Sequence, residues 1–285
     1  MPYTQEISRQ NKACFLFLLD RSYSMVEPLG DSLNRKCDEL ATALNGWLQN
    51  MTIRATGGEG IRDWIDVGVI GYHTDQEANP IIQPGLLGEF AEQPLVSITE
   101  VGARPARMDE REQLVPDEAT GEMLKLKTEI PIWVDPIADG GTPMCHTLHY
   151  AYELMEYWIQ EHPNSFPPIV VHITDGESQD GDPVPYAEAL KSLETTDGNL
   201  LLFNCHLSAM AADSFMFPSS GEILPEELAR VLFQMSSVLP DSIADRATAE
   251  GFELQPGSRG MVYNADMICL LQFLDMGTRI ASNLR

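Results

Sequence analysis

The chain has 285 residues, of which 44% are hydrophobic, enough for a sizeable core and too many for wholesale disorder. Its 43 acidic and 18 basic side chains leave a formal net charge of -25. Such a surface repels phosphate backbones and anionic lipid, which argues against nucleic-acid and membrane partners and suits cations or basic partners.

The five cysteines, Cys14, Cys37, Cys145, Cys205 and Cys269, are odd in number, scattered and mostly set in apolar runs. They read as reduced, buried thiols rather than a disulfide framework. The opening residues hold too short an apolar run for a signal peptide, and no stretch approaches the roughly 20 apolar residues of a membrane span. A cytoplasmic protein is expected.

In chain order, residues 13–19 (ACFLFLL) read as the first buried strand. Residues 31–51 follow as a long amphipathic helix, with Leu33, Cys37, Leu40, Leu44, Trp47, Leu48 and Met51 on one stripe. Residues 65–72 (IDVGVIGY) form the second strand. The segment 74–135 breaks the alternation with Pro, Gly and charge, and carries two β-like runs at 95–101 and 123–134. A structureless loop of that length is uncommon inside a domain, so an edge strand followed by an inserted β-hairpin is expected. Helix 145–159, strand 169–173 (IVVHI), a helix opened by Pro183 and Pro185, and strand 200–205 (LLLFNC) come next. Pro225 opens a helix through Val238, and an apolar helix at about 266–284 closes the chain. Strands alternating with helices predict an α/β fold over 1–285, with an open, mostly parallel sheet and an insertion at about 75–135.

In such sheets, ligands bind beyond the carboxyl ends of the strands. The first strand ends in Asp20-Arg21-Ser22-Tyr23-Ser24, and the strand at 169–173 ends in Thr174-Asp175-Gly176-Glu177. Between them, Gly140-Gly141-Thr142-Pro143 precedes a helix. Each loop offers small oxygen-bearing side chains, which suits a hard divalent cation with up to about six oxygen ligands.

These three elements together resemble a von Willebrand factor A (vWA) domain with a metal-ion-dependent adhesion site. The family pattern is Asp-x-Ser-x-Ser after the first strand, a distant Thr, and an Asp within Thr-Asp-Gly. The resemblance covers roughly residue 13 to the final helix and leaves 74–135 unexplained. It implies a Rossmann-like sheet and a magnesium ion, with manganese or calcium as alternatives, at Asp20, Ser22, Ser24, Thr142 and Asp175. Ser22 and Ser24 would bind directly, Thr142 would join when ligand is bound, and Asp20 and Asp175 would act through water or hydrogen bonds. A partner's Glu or Asp would fill the open position. Many relatives carry Gly where this chain has Tyr23. In some, the C-terminal helix shifts when the site is occupied, although a static core helix is the plainer reading here.

Stand-alone intracellular bacterial members are the nearest in kind. They imply a non-catalytic scaffold in stress or signalling, working with a protein kinase, a metal-dependent phosphatase or an AAA+ ATPase. The alternative is a metal-dependent hydrolase with Glu177 as the nearby base. A third reading makes the insertion the recognition surface and the metal structural. His146 and His149 lack further ligands for zinc, and His172 reads as a hydrogen-bonded core histidine. Gly57-Gly58-Glu59-Gly60 lies in the wrong order between helix and strand for a dinucleotide site. Glu177, Asp180 and Asp182 read as a solvated acidic loop.

Overall fold

A computed structural model describes residues 3–30, 32–57, 60–116, 123–207, 214–266 and 269–273. Strand sequences without a polar face need cover on both sides. β1 (Ala13–Asp20) is accordingly buried at every position. A 3-10 turn at Tyr23–Val26 leads to α1 (Lys36–Ala55) and β2 (Ile65–Thr74). The edge strand β3 (Pro80–Pro84), the short β4 (Val96–Ser97) and α2 (Ile98–Ala103) follow. β5 (Arg107–Pro116) and β6 (Met123–Ile132) pair as a separate antiparallel hairpin. Then come α3 (Met144–Glu161), β7 (Ile169–Thr174), α4 (Val184–Ser192) and β8 (Leu201–Leu207). β9 (Phe215–Met216), α5 (Glu227–Met235), α6 (Asp241–Ala249) and β10 (Met261–Ala265) complete the named elements.

Among the described residues the main sheet has eight strands in the order β9-β10-β8-β7-β1-β2-β3, with β4 also on β2. The central pairs β10-β8, β8-β7, β7-β1 and β1-β2 are parallel. The strands β3, β4 and β9 run antiparallel. This is the open, mostly parallel, Rossmann-like sheet expected of a vWA-type chain. From β1 the chain moves to β2 on one side, then returns through α3 to β7 on the other. The strand order therefore reverses between β1 and β7, which opens a crevice at their carboxyl ends.

Alternation along β1 divides the core. Phe15, Phe17 and Leu19 pack with α1, where Trp47 meets Phe15 and Phe17 edge-on at 5.5 and 4.7 Å. Leu16 and Leu18 pack on the other face with residues of α3, α4 and α5.

Local chemistry moves several expected boundaries. The first helix begins at Lys36 rather than residue 31, and Leu33 is fully exposed instead of lying on the apolar stripe. Ser32 and Asn34 both donate side-chain hydrogen bonds to Glu39, and Pro28 pairs with Arg35, so the helix does not begin before Lys36. The β-like run 95–101 divides because Ser97 accepts from the Thr99 N–H and caps α2. The run 123–134 is a strand, and its partner β5 is a charge-rich segment that periodicity alone passes over. β10 and α6 also went unread. The closing helix at 266–284 lies largely outside the described residues, although Leu270 and Phe273 are buried in the α1-side core.

Asn45 ties the segment that follows the hairpin to α1. Its amide donates to the Ala41 and Val134 carbonyls, and its oxygen accepts from the Trp133 and Val134 N–H groups at 2.8 and 3.0 Å. All four polar capacities of this buried side chain are used. The chain is thereby fixed just before the loop that carries Thr142.

Candidate metal centre

The crevice between β1 and β7 gathers the five expected residues. Asp20 ends β1, and its carboxylate accepts from the Ser22 N–H at 2.8 Å and from the Thr174 hydroxyl. The first bond closes an Asx turn that folds Ser22 and Ser24 back over the sheet edge. Their hydroxyl oxygens stand 3.0 Å apart, and Ser24 donates to Asp175 Oδ1 at 2.7 Å.

Thr142 reaches the same place from the β2 side. Gly141 N–H bonds the Thr74 hydroxyl at 2.8 Å, and Tyr23 N–H bonds the Gly140 carbonyl at 2.9 Å, so this loop is tied to β2 and to the serine loop. Gly140 has φ +65°, and a Cβ there would collide with the Thr74 carbonyl oxygen; only glycine fits. A Cβ on Gly176 would lie 3.0 Å from the Thr142 hydroxyl and 3.6 Å from Asp20 Oδ2, which places those two oxygens around one point. Thr142 is only 2% exposed, and its carbonyl accepts from the Met144 and Gln179 N–H groups at 2.9 and 3.0 Å, which fixes the loop.

Electrostatics follow from this burial. Burial pushes the Asp20 carboxyl up to about 6; the Thr174 and Ser22 hydrogen bonds oppose the rise, and the nearby Asp175 charge adds to it. Of the two carboxylates at this crevice, Asp175 is already paired with a buried ammonium, that of Lys36. Beneath them lies a buried polar chain. Ser236 donates to the Leu232 carbonyl and accepts from Asn204 Nδ2, so Asn204 Oδ1 accepts from His172 Nδ1–H. His172 Nε2 is left to accept from the Tyr72 hydroxyl at 2.7 Å. His172 is the core histidine its sequence context predicts, and burial lowers it to about 4.

Three groups at the site escape sequence reasoning. Lys36 is 3% exposed, and its ammonium lies 2.7 Å from Asp175 Oδ2 and 3.1 Å from Glu27 Oε2. A cation in the first turn of α1 opposes the helix dipole, but with the helix read from residue 31 no such signal shows in the sequence. Asp180 is not a solvated acid. It accepts from the N–H groups of Cys145 and His146, from Ser178 and from the His146 ring, capping α3 directly behind Thr142. Burial would raise its carboxyl, but those donors bring it down to about 2. His206, at the end of β8, stacks on Tyr263 at 5.1 Å and lies 3.7 Å from Glu226. Burial lowers it, with Glu226 and then Asp175 opposing.

The donor set fits a hard cation. Two oxygens on adjacent corners of a magnesium octahedron lie about 2.9 Å apart, given metal–oxygen distances of about 2.0–2.1 Å. The serine hydroxyls, hydrogen-bonded to each other at 3.0 Å, stand at a compatible separation. No group of three His, Cys, Asp or Glu side chains placed to hold a metal ion occurs among the described residues, so the candidate donors here are hydroxyls beside two carboxylates. His146 and His149 instead pair with Asp180 and Glu153 on the exposed side of α3. Tyr23 is 68% exposed at the rim and does not fill the crevice. On the other side an open groove of about 230 Å³ has Met144, Leu228 and Val231 within it and Glu177, Asp182 and Glu227 around it.

No family model and no curated protein matches this chain. Among solved structures, the vWF domain of the type V pili tip protein Mfa5 from Porphyromonas gingivalis is similar with a TM-score of 0.30 and 11% identity, over 59% of this chain and 39% of that one. The PilB minor pilin from Streptococcus sanguinis is similar with a TM-score of 0.45 and 13% identity, over 99% of this chain and 64% of that one. This chain thus spans less than two thirds of either structure. The fold class rests on the strand order and register, not on these likenesses. No helix among the described residues is long and apolar enough to cross a membrane, and the five cysteines are free thiols.

Proposed function

We propose that this chain is a non-catalytic, divalent-metal-dependent interaction module that recognises an acidic side chain of a partner protein. Ser22, Ser24 and Thr142 would hold magnesium, with manganese or calcium able to substitute, while Asp20 and Asp175 fix the hydroxyls and balance charge. When bound, the ion supplies Lewis acidity for a Glu or Asp carboxylate from outside. The observation that carries the reading is the convergence of Ser22, Ser24, Thr142, Asp20 and Asp175 in the crevice where the strand order reverses, with the two serine hydroxyls hydrogen-bonded to each other and Ser24 to Asp175. Neutral hydroxyls outnumber carboxylates among the donors, so the protein cancels little of the ion's charge. Tyr23 and the groove beside Met144 flank the crevice and offer the partner an apolar contact on each side.

The resemblance to intracellular bacterial vWA proteins points to a kinase, a metal-dependent phosphatase or an AAA+ ATPase as the partner, in the cytoplasm. A net charge of -25 disfavours nucleic acid and membrane surfaces. The test compares proteins that co-purify with the chain in magnesium, in EDTA, and with Asp20→Ala. One partner lost in both perturbed samples is the expected result. An unchanged set in all three would contradict it. Phosphoester or peptide turnover by the pure chain, abolished in Asp20→Ala, would replace the module with a hydrolase.

A further inference from the structure

We propose that Lys36 is a built-in counter-cation of Asp175 that weakens, without abolishing, divalent binding by the chain alone, so that the partner's carboxylate tightens it. The inference rests on the metal reading above and adds to it a control on affinity.

Both charged side chains are withdrawn from water, with 4% of the Lys36 side chain exposed and none of Asp175. Each oxygen of Asp175 is occupied: Oδ1 accepts from Ser24 and Oδ2 from Lys36, both at 2.7 Å. A carboxylate held this way serves as a hydrogen-bond acceptor for a serine ligand, and is already neutralised by a full positive charge. Lys36 also reaches Glu27, and its backbone N–H bonds the Glu27 carbonyl at 2.8 Å. The ammonium therefore fastens the exit of the serine loop, the start of α1 and the end of β7 to one another without an ion. Glu27 is 55% exposed, so solvent screens its charge, whereas the Lys36–Asp175 pair faces the low-dielectric interior.

The consequence is electrostatic. With Asp175 offset by Lys36, the buried anionic charge left at the crevice is that of Asp20. Like charge repels like, so a divalent ion entering here meets a resident cation only one carboxylate away. An ion held weakly for that reason keeps its attraction for an external carboxylate. Loops already fastened by Lys36 also need little ordering when the ion arrives.

Lys36→Met and Lys36→Gln separate the counter-cation from a merely structural role, because both remove the charge while Gln, one bond shorter, keeps an N–H donor on the side facing Asp175. Magnesium and manganese affinities of the chelator-stripped chain are measured by calorimetry without any partner, alongside the melting temperature in EDTA. Both variants are expected to bind the ions at least about tenfold more tightly than the wild type. Both are also expected to melt lower in EDTA and to recover more on magnesium addition. Adding Asp175→Asn to Lys36→Gln should cancel the gain in affinity. Unchanged or weaker ion binding in a folded Lys36→Gln protein overturns the proposal while leaving the metal reading intact. Binding in the variants but none in the wild type would mean that Lys36 abolishes binding, which contradicts the proposal as stated and overturns the metal-dependent module. Binding in neither overturns both.

Discussion

At the scale of single residues, the site depends on what neutral oxygens and buried charges do to one another. The convergence of these side chains was foreseeable where they sit at strand ends, Asp20, Ser22 and Ser24 at the end of β1 and Asp175 just after β7, whereas Thr142 was placed only by its position before α3. Lys36 was not legible, since its partner Asp175 lies 139 residues away and no local pattern announces the pairing. His172 was readable as a core histidine, but its consequence for pH comes only from the structure. Buried and lowered to about 4, it stays neutral in the folded chain while the unfolded chain protonates near 6.5. Between those values the unfolded state binds the extra proton, so this residue makes stability fall as pH falls. Asp20 has the opposite sign: its raised value near 6 favours the folded state at low pH, and that contribution is lost as pH rises. Denaturant unfolding at pH 7 and pH 4.5 isolates the histidine term. Wild type is expected to lose about 2 kcal/mol more than His172→Gln over that interval, whatever the variant's stability at pH 7. Equal losses would place the histidine's proton elsewhere.

At the scale of elements, helix periodicity located α1 and α3, because each buries one stripe against the sheet, while Pro183, Pro185 and Pro225 marked where α4 and α5 begin. Boundaries were less legible where side chains bond the backbone, as Ser97 does at α2 and the Ser32–Asn34–Glu39 cluster does before α1. The insertion was readable as an edge strand and a hairpin, but its anchorage was not. A single Asn within an otherwise amphipathic helix gives no hint that it holds Trp133 and Val134. Replacing Asn45 with Leu leaves two N–H groups and a carbonyl of that segment unpaired in the core. A loss of about 3 kcal/mol in denaturant unfolding is expected. A loss below about 1 kcal/mol would mean that the segment is held by packing alone. Because the same segment leads to Thr142, Asn45→Leu should also loosen the loop, visible as faster amide exchange around Gly140 and Gly141.

At the scale of the whole molecule, strand order makes the site. Sequence alternation of strands and helices predicted a parallel sheet with helices on both faces. Which strands are neighbours, and therefore where the order reverses, depends on long-range pairing such as Leu18 beside His172. β10 escaped because five residues after a glycine-rich turn carry too little pattern to separate them from a loop. The large negative charge attracts cations everywhere on the surface, so ion uptake alone is not diagnostic. The decisive measurement is titration of manganese into the chelator-stripped chain, read by electron paramagnetic resonance, for wild type and for Ser22→Ala/Ser24→Ala, whose net charge is unchanged. The account predicts one specific manganese per wild-type chain, displaced by magnesium and abolished in the variant. Equal manganese uptake by a folded variant, or none by the wild type, would contradict it.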